Sequence, residues 1–196
     1  IKRINPLIRV QTIRGNVQTR LQKLLEGQYD AILLAAAGLE RLGLTECSEY
    51  HFEYLDVSEC LPAAGQAILA VESPNGHLLD VLAAIHDPQA AVCLYAERAY
   101  LTAIGGSCNA PAAALSGLYG EQLRMKVLFA ADGKHLKMAE GSKETGLDIE
   151  QAEALGIELA REVKKGKVWL VGAGPGDFQL VTQKCLSCVR MADVIV

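Results

Sequence analysis

Apolar and polar positions along this chain follow one period, then another, and the first stretch reads as α/β. Residues 7–13 and the run 29–36, apolar but for Asp30, predict strands, the second of the kind buried on both faces of a parallel sheet. Between them Asn16 is placed to cap a helix that runs to about residue 26, where Gly27 stops it. A short helix is expected at 38–44, a short strand at 51–55, a turn or short helix at 61–66 and a strand at 67–72.

Ser73-Pro74-Asn75-Gly76 then breaks the chain, and a domain boundary is expected there. Asp87-Pro88 supplies an N-cap and a proline at the first helical position, so a helix should run to Ile104 and stop at Gly105-Gly106. The period then shortens. Three strands are expected at 112–118, 123–130 and 135–140, turning at Tyr119-Gly120 and at the hairpin signal Asp132-Gly133. An amphipathic helix over 148–165 completes an α+β unit, a small antiparallel sheet covered by helices. After Gly166 the pattern restarts: a strand at 167–171, a glycine turn at 172–176, a helix at 179–192 and the opening of another strand. A single such unit cannot bury its own sheet, so this tail is expected to begin a larger domain.

Composition narrows the function. With 51% hydrophobic and 21% charged residues the 196-residue chain is a packed globular protein. Aromatics at 5% argue against a stacking surface for nucleic acid. A net charge of -4 argues against a general polyanion binder, while leaving room for a local basic cluster. No apolar run reaches the roughly 18–20 residues that cross a bilayer, so no membrane partner is expected. Six irregularly spaced cysteines do not form a disulfide framework; reduced thiols and a cytoplasmic setting are expected. A chain opening on Ile1 is expected to be an excised piece.

Three segments carry candidate chemistry. In Arg14-Gly15-Asn16-Val17-Gln18-Thr19-Arg20, two guanidinium groups and the free N–H groups of a helix start converge, a receptor for carboxylate or phosphate. Gly15 lets a ligand approach the backbone, and Arg41 is placed to reach the same sheet edge. A solvated helix start with surface arginines fits the spacing too. In Gly105-Gly106-Ser107-Cys108-Asn109-Ala110-Pro111, a cysteine between glycines and a proline after a helix suits a nucleophile or an attachment point, or else a small residue filling a turn. Val168-Trp169-Leu170-Val171-Gly172-Ala173-Gly174-Pro175-Gly176-Asp177 suits a nucleotide-like ligand. It is not the dinucleotide fingerprint, whose last glycine would fall at Asp177. Cys185 and Cys188 form a C-x-x-C without a second pair, Cys47, Cys60 and Cys93 carry no signal, and the four histidines show no ligand spacing, so no metal site is expected.

Taken in order, several of these segments resemble hydroxymethylbilane synthase, also called porphobilinogen deaminase. They are the run Ile13 to Leu21, the run Tyr29 to Gly43, Leu61-Pro62-Ala63-Ala64-Gly65-Gln66, Ala96-Glu97-Arg98-Ala99 and the Cys108 loop. The tail, with Val171-Gly172-Ala173-Gly174-Pro175-Gly176-Asp177, resembles the opening of uroporphyrinogen-III C-methyltransferase, an S-adenosylmethionine enzyme. The resemblance implies four domains or parts. Residues 1–66 would be a partial second domain, a doubly wound α/β lobe like that of periplasmic binding proteins. Residues 67–76 would return toward an absent first domain, 77–165 would be the α+β third domain, and 166–196 a truncated methyltransferase start.

It also implies the chemistry. The family condenses four porphobilinogen molecules into linear hydroxymethylbilane, releasing one ammonia each time. The chain grows on a dipyrromethane cofactor joined by a thioether to a loop cysteine, whose position Cys108 matches. Loss of ammonia leaves an electrophilic methylene, which the thiolate captures. Arg14, Arg20 and Arg41 match arginines that bind the acetate and propionate groups of porphobilinogen and the oligopyrrole intermediates, with Gly15 beside the cofactor. The proton-handling aspartate lies in the absent domain, so no catalytic residue is expected here and the piece should lack turnover. Ala67 stands where the family has a glycine. S-adenosylmethionine would bind only a complete methyltransferase domain. Two rivals remain: a non-catalytic anion-binding module, and a bifunctional polypeptide whose weight lies on methyl transfer.

Overall fold

The computed structural model describes residues 5, 7–74, 78–106, 110–131, 135–166, 171–172 and 182–191. The chain divides into two compact units, Ile1–Val163 and Lys164–Val196.

The best-packed part of the first unit is a sheet backed by helices. Strands β1 (Ala112–Tyr119), β2 (Gln122–Phe129) and β3 (Lys137–Glu144) form an antiparallel meander in the order β1-β2-β3. Alternation in β2 sends Leu123, Met125 and Val127 inward and leaves Arg124 and Lys126 outside. Register puts Ser116 and Gly141 beside Met125, and Ala114 and Ala139 beside Val127. β3 lies two to four residues beyond its expected position. Its own sequence is mostly polar, so its ends are set by pairing along the whole of β2, from Phe129↔Lys137 to Gln122↔Glu144. The turn signal Asp132-Gly133 lies outside the described residues.

Helix α4 (Pro88–Ala103) starts as expected, with the Asp87 carboxylate accepting from the N–H groups of Gln89 and Ala90. Val92, Ala96, Tyr100 and Ile104 recur at helical spacing and are buried. They pack with Leu155, Leu159 and Val163 of α5 (Ile149–Lys164) and the inner residues of β2. Tyr100 is fully enclosed, and its hydroxyl donates to the Leu128 carbonyl at 2.8 Å. Gly156 is where α5 crosses α4. A Cβ there would collide with the Ala96 carbonyl oxygen and lie 2.9 Å from the Tyr100 nitrogen.

The preceding stretch differs from expectation. α1 (Val17–Leu25) forms with its Asn16 cap and stops at Gly27, whose φ is 72°. α2 (Ala36–Arg41) begins two residues early and ends before Gly43 (φ 63°), where the Leu44 N–H bonds back to the Leu39 carbonyl. The expected strands at 7–13, 29–36, 51–55 and 67–72 are not strands. A strand exists only with a ladder partner, and among the described residues these segments have none. Many of their apolar side chains stay exposed, Leu7 at 89% and Leu69 at 72%, while Ile13, Ile32, Leu34, Phe52 and Ile68 are half-buried. A short helix α3 (Leu79–Ala83) follows. The fold is thus mixed α/β with one three-stranded antiparallel sheet among the described residues.

In the second unit α6 (Gln183–Met191) is shorter than expected, and the Thr182 hydroxyl caps it by accepting from the Cys185 N–H at 3.2 Å. Cys185 is buried and Cys188 half-buried. The expected strand at 167–171 except Val171, the one at 193–196 and most of the glycine turn lie outside the described residues. No helix among the described residues is long and apolar enough to cross a membrane.

Candidate functional site: a cationic turn, an arginine cleft and a buried carboxylate

The chain turns into α1 at Gly15, whose φ of 123° belongs to glycine. An added Cβ would also sit 2.8 Å from Thr19 Cγ2. Asn16 Oδ1 accepts from the Thr19 N–H and the Thr19 hydroxyl, both at 2.8 Å. Arg20 Nε donates to the Gly15 carbonyl at 2.8 Å, and Lys23 Nζ donates to the Arg14 carbonyl at 3.0 Å. Two cations from one face of α1 therefore tie down the two carbonyls ahead of the cap. Arg14 is exposed, Arg20 and Lys23 half-buried. One guanidinium N–H of Arg20 is spent on the turn, which leaves four for an anion.

Lys23 is a residue that motif reading missed. Its signal was present: it follows Arg20 by three positions, which puts both on one helix face.

Arg41 ends α2 and is exposed. It lines a cleft of 360 Å³ together with Gly38 on its own helix and residues 64–69 opposite. That lining includes neither Arg14 nor Arg20. The shared edge was to come from paired strands, and those strands lack partners here.

A second feature not foreseen from sequence stands behind that cleft. Glu97, on α4, is only 4% exposed. Its Oε2 accepts from the Gly65 N–H at 2.6 Å. Its Oε1 accepts from the Ser116 N–H at 2.7 Å and lies 2.8 Å from the Ser116 hydroxyl, which is also 3.1 Å from the Cys93 carbonyl. Burial pushes the Glu97 carboxyl above its ordinary range, and the bonds from Gly65 and Ser116 pull it back. Its sequence signals were an acid inside an otherwise apolar helix face and a place in the Ala96-Glu97-Arg98-Ala99 segment, neither of which names its partners.

Cys108 lies outside the described residues, as do Ser107 and Asn109. Both ends of its loop are anchored. The Gly106 N–H donates to the Leu101 carbonyl at 2.9 Å, and the Ala130 N–H donates to the Pro111 carbonyl at 2.9 Å.

These parts define a class: a mixed α/β protein in which a cationic glycine turn and an arginine cleft precede a helix-backed antiparallel sheet. Residues 1–78 match the family model "Porphobilinogen deaminase, dipyromethane cofactor binding domain", and residues 91–165 match "Porphobilinogen deaminase, C-terminal domain". The chain is 44% identical over 167 residues to a porphobilinogen deaminase of Roseiflexus castenholzii, covering 83% of this chain and 52% of the relative. It is 38% identical over 169 residues to that of Sorangium cellulosum (85% and 55%), and 42% identical over 164 residues to that of Thermus thermophilus (82% and 52%). Residues 1–165 of the chain belong to the porphobilinogen deaminase family. The chain spans about half the length of the curated relatives it matches.

Proposed function

We propose that this chain is part of a hydroxymethylbilane synthase, which condenses four porphobilinogen molecules into a linear tetrapyrrole with loss of ammonia. The observation that carries the reading is the Gly15 turn. On an acidic chain it gathers Arg14, Arg20 and Lys23 around a capped helix start, Lys23 by reaching back two turns to the Arg14 carbonyl. Each porphobilinogen brings an acetate and a propionate, so its oligomers are polycarboxylates. Guanidinium groups suit them because each can grip a carboxylate with two parallel hydrogen bonds.

In this reading Arg14, Arg20 and Lys23 hold the carboxylates of a dipyrromethane group, and Arg41 holds those of an incoming or growing pyrrole chain. The group's anionic character fits the cationic turn. When bound, it supplies the primer to which pyrroles are added. Cys108 is its attachment point through a thioether. Residues 1–66 form part of an α/β lobe like that of periplasmic binding proteins, 67–76 a returning linker, and 77–165 the unit that carries the cysteine loop. Residues 166–196 are the opening of a uroporphyrinogen-III C-methyltransferase, so the parent is a two-activity polypeptide of tetrapyrrole synthesis working in the cytoplasm. The family's proton-handling aspartate has no counterpart in the stretch at hand, so this stretch by itself does not turn over.

Incubation of the chain with porphobilinogen should therefore give no sustained formation of bilane; steady product would overturn that part of the reading. In the full polypeptide, intact mass should show a two-pyrrole addition that Cys108→Ala abolishes. An unmodified but active polypeptide would overturn the assignment of Cys108.

A further inference from the structure

The sheet and the arginine cleft are joined by one buried side chain. β1 is an edge strand, and two of its outward N–H groups find partners away from the sheet: Ala114 donates to the Pro62 carbonyl at 3.1 Å, and Ser116 to Glu97. The 61–67 loop and Glu97 thus close the open edge that a sheet would otherwise present. Glu97 spends its other oxygen on Gly65, 32 residues earlier in the chain. Gly65 (φ 76°) opens the segment that walls the cleft opposite Arg41, and Ala67 (φ 68°) follows two residues later. A Cβ on Gly65 would lie 3.2 Å from Leu94 Cδ1, so the backbone here runs against α4 itself.

A carboxylate is the side chain this position requires. It offers acceptor lone pairs at both ends, so it serves Gly65 and Ser116 at once. An amide of the same shape has one accepting end. A bond from a backbone N–H to a charged acceptor is also among the stronger kind. The wall of the cleft is therefore set from the helix that supports the sheet.

We propose that Glu97 is a positioning residue for the Arg41 cleft: by pinning Gly65 it holds the 64–69 wall at the distance from Arg41 that a polycarboxylate ligand needs. This rests on the polycarboxylate reading of the cleft given above. Glu97 touches no ligand itself and acts through the backbone it holds.

The test uses this chain and benzenehexacarboxylate as the probe, with Glu97→Gln, Arg41→Gln and the double variant. In Glu97→Gln the Gly65 amide should exchange at least about tenfold faster, while the Val127 amide in the sheet keeps its protection. Probe affinity should fall about tenfold, as expected for loss of a charged hydrogen bond at the wall. In the Arg41→Gln background the same change should alter affinity less than about twofold, because the two act on one site. An unchanged Gly65 exchange rate overturns the proposal. So does a freed Gly65 with unchanged affinity, or an equal loss with and without Arg41. If the unsubstituted chain does not bind the probe, the reading of the cleft fails, and the proposal with it. If it binds and only the coupling is missing, the proposal alone fails. Should Glu97→Gln not fold, Glu97→Asp, one methylene shorter, replaces it with the same readouts.

Discussion

Residues 7–74 and residues 88–164 have similar stocks of apolar side chains, yet among the described residues the first stretch buries only Leu21 and Leu39 while the second builds a core. Its strands follow one another directly and pair by local turns, so each ladder closes within a few residues of its neighbour. α4 and α5 then cover one face. The earlier stretch has the run 29–36 that a parallel sheet would bury, and parallel strands require neighbours reached through long crossovers. In this chain those segments are not strands, and Leu33 and Val71 are more than half exposed. Local pairing builds a fold from a contiguous piece of sequence, and non-local pairing does not.

The contrast can be broken by truncating one leucine on each side. Leu123→Ala empties a fully enclosed position in the sheet core and should cost about 3 kcal/mol of unfolding free energy. Leu69→Ala, at a position 72% exposed, should cost less than about 0.5 kcal/mol. Urea unfolding of both variants measures the difference. Comparable losses would show that the extended segments are packed after all.

Overpacking sharpens the same point at the helix crossing. Gly156→Ala sets a methyl against the Ala96 carbonyl, and α4 is tied to the sheet by the bond from the Tyr100 hydroxyl to the Leu128 carbonyl. A loss of about 2–3 kcal/mol is expected in the same assay. Tyr100 offers a third measure. Burial raises its pKa from 10.0 to about 12. The phenol's contribution is fully present below pH 10 and is lost as pH rises through 12, on the order of 2 kcal/mol at the limit. Absorbance titration of the six tyrosines should show Tyr100 ionising last, and Tyr100→Phe should remove that late step.

What could be read from sequence follows the same divide. Caps and breaks were legible because they act locally: Asn16, Asp87-Pro88, Gly27 and Gly105 do in the structure what their chemistry dictates. The three-strand meander was legible because its turns lie inside it, although β3 took its ends from β2. The α/β strands were legible as extended apolar runs, but pairing is a property of the neighbour and not of the run. At the site, the Arg14–Arg20 turn could be read from spacing. Lys23 could have been, from its helical offset. Glu97 could not, because its partners lie 32 and 19 residues away and are backbone groups without side-chain signature.

The smallest expected effect tests the border between the two regions. Ala67 holds a φ of 68°, a conformation in which an L side chain crowds its own carbonyl. It costs about 1–2 kcal/mol in any residue but glycine. The conformation is imposed from both sides: Gly65 is tied to Glu97, and the Ile68 N–H bonds back to the Gly65 carbonyl at 3.3 Å, which forces the chain to turn tightly at 67. Ala67→Gly removes the strain while making the unfolded chain freer, and the second term offsets part of the first. A net gain of about 0.5–1 kcal/mol is expected in urea unfolding. The sign depends on the wall being ordered. If the 64–69 segment sampled many conformations in the folded chain, alanine would carry no strain there, and glycine would be neutral or destabilising. A gain that disappears in the Glu97→Gln background would show that the strain at Ala67 is maintained by the same carboxylate that pins Gly65.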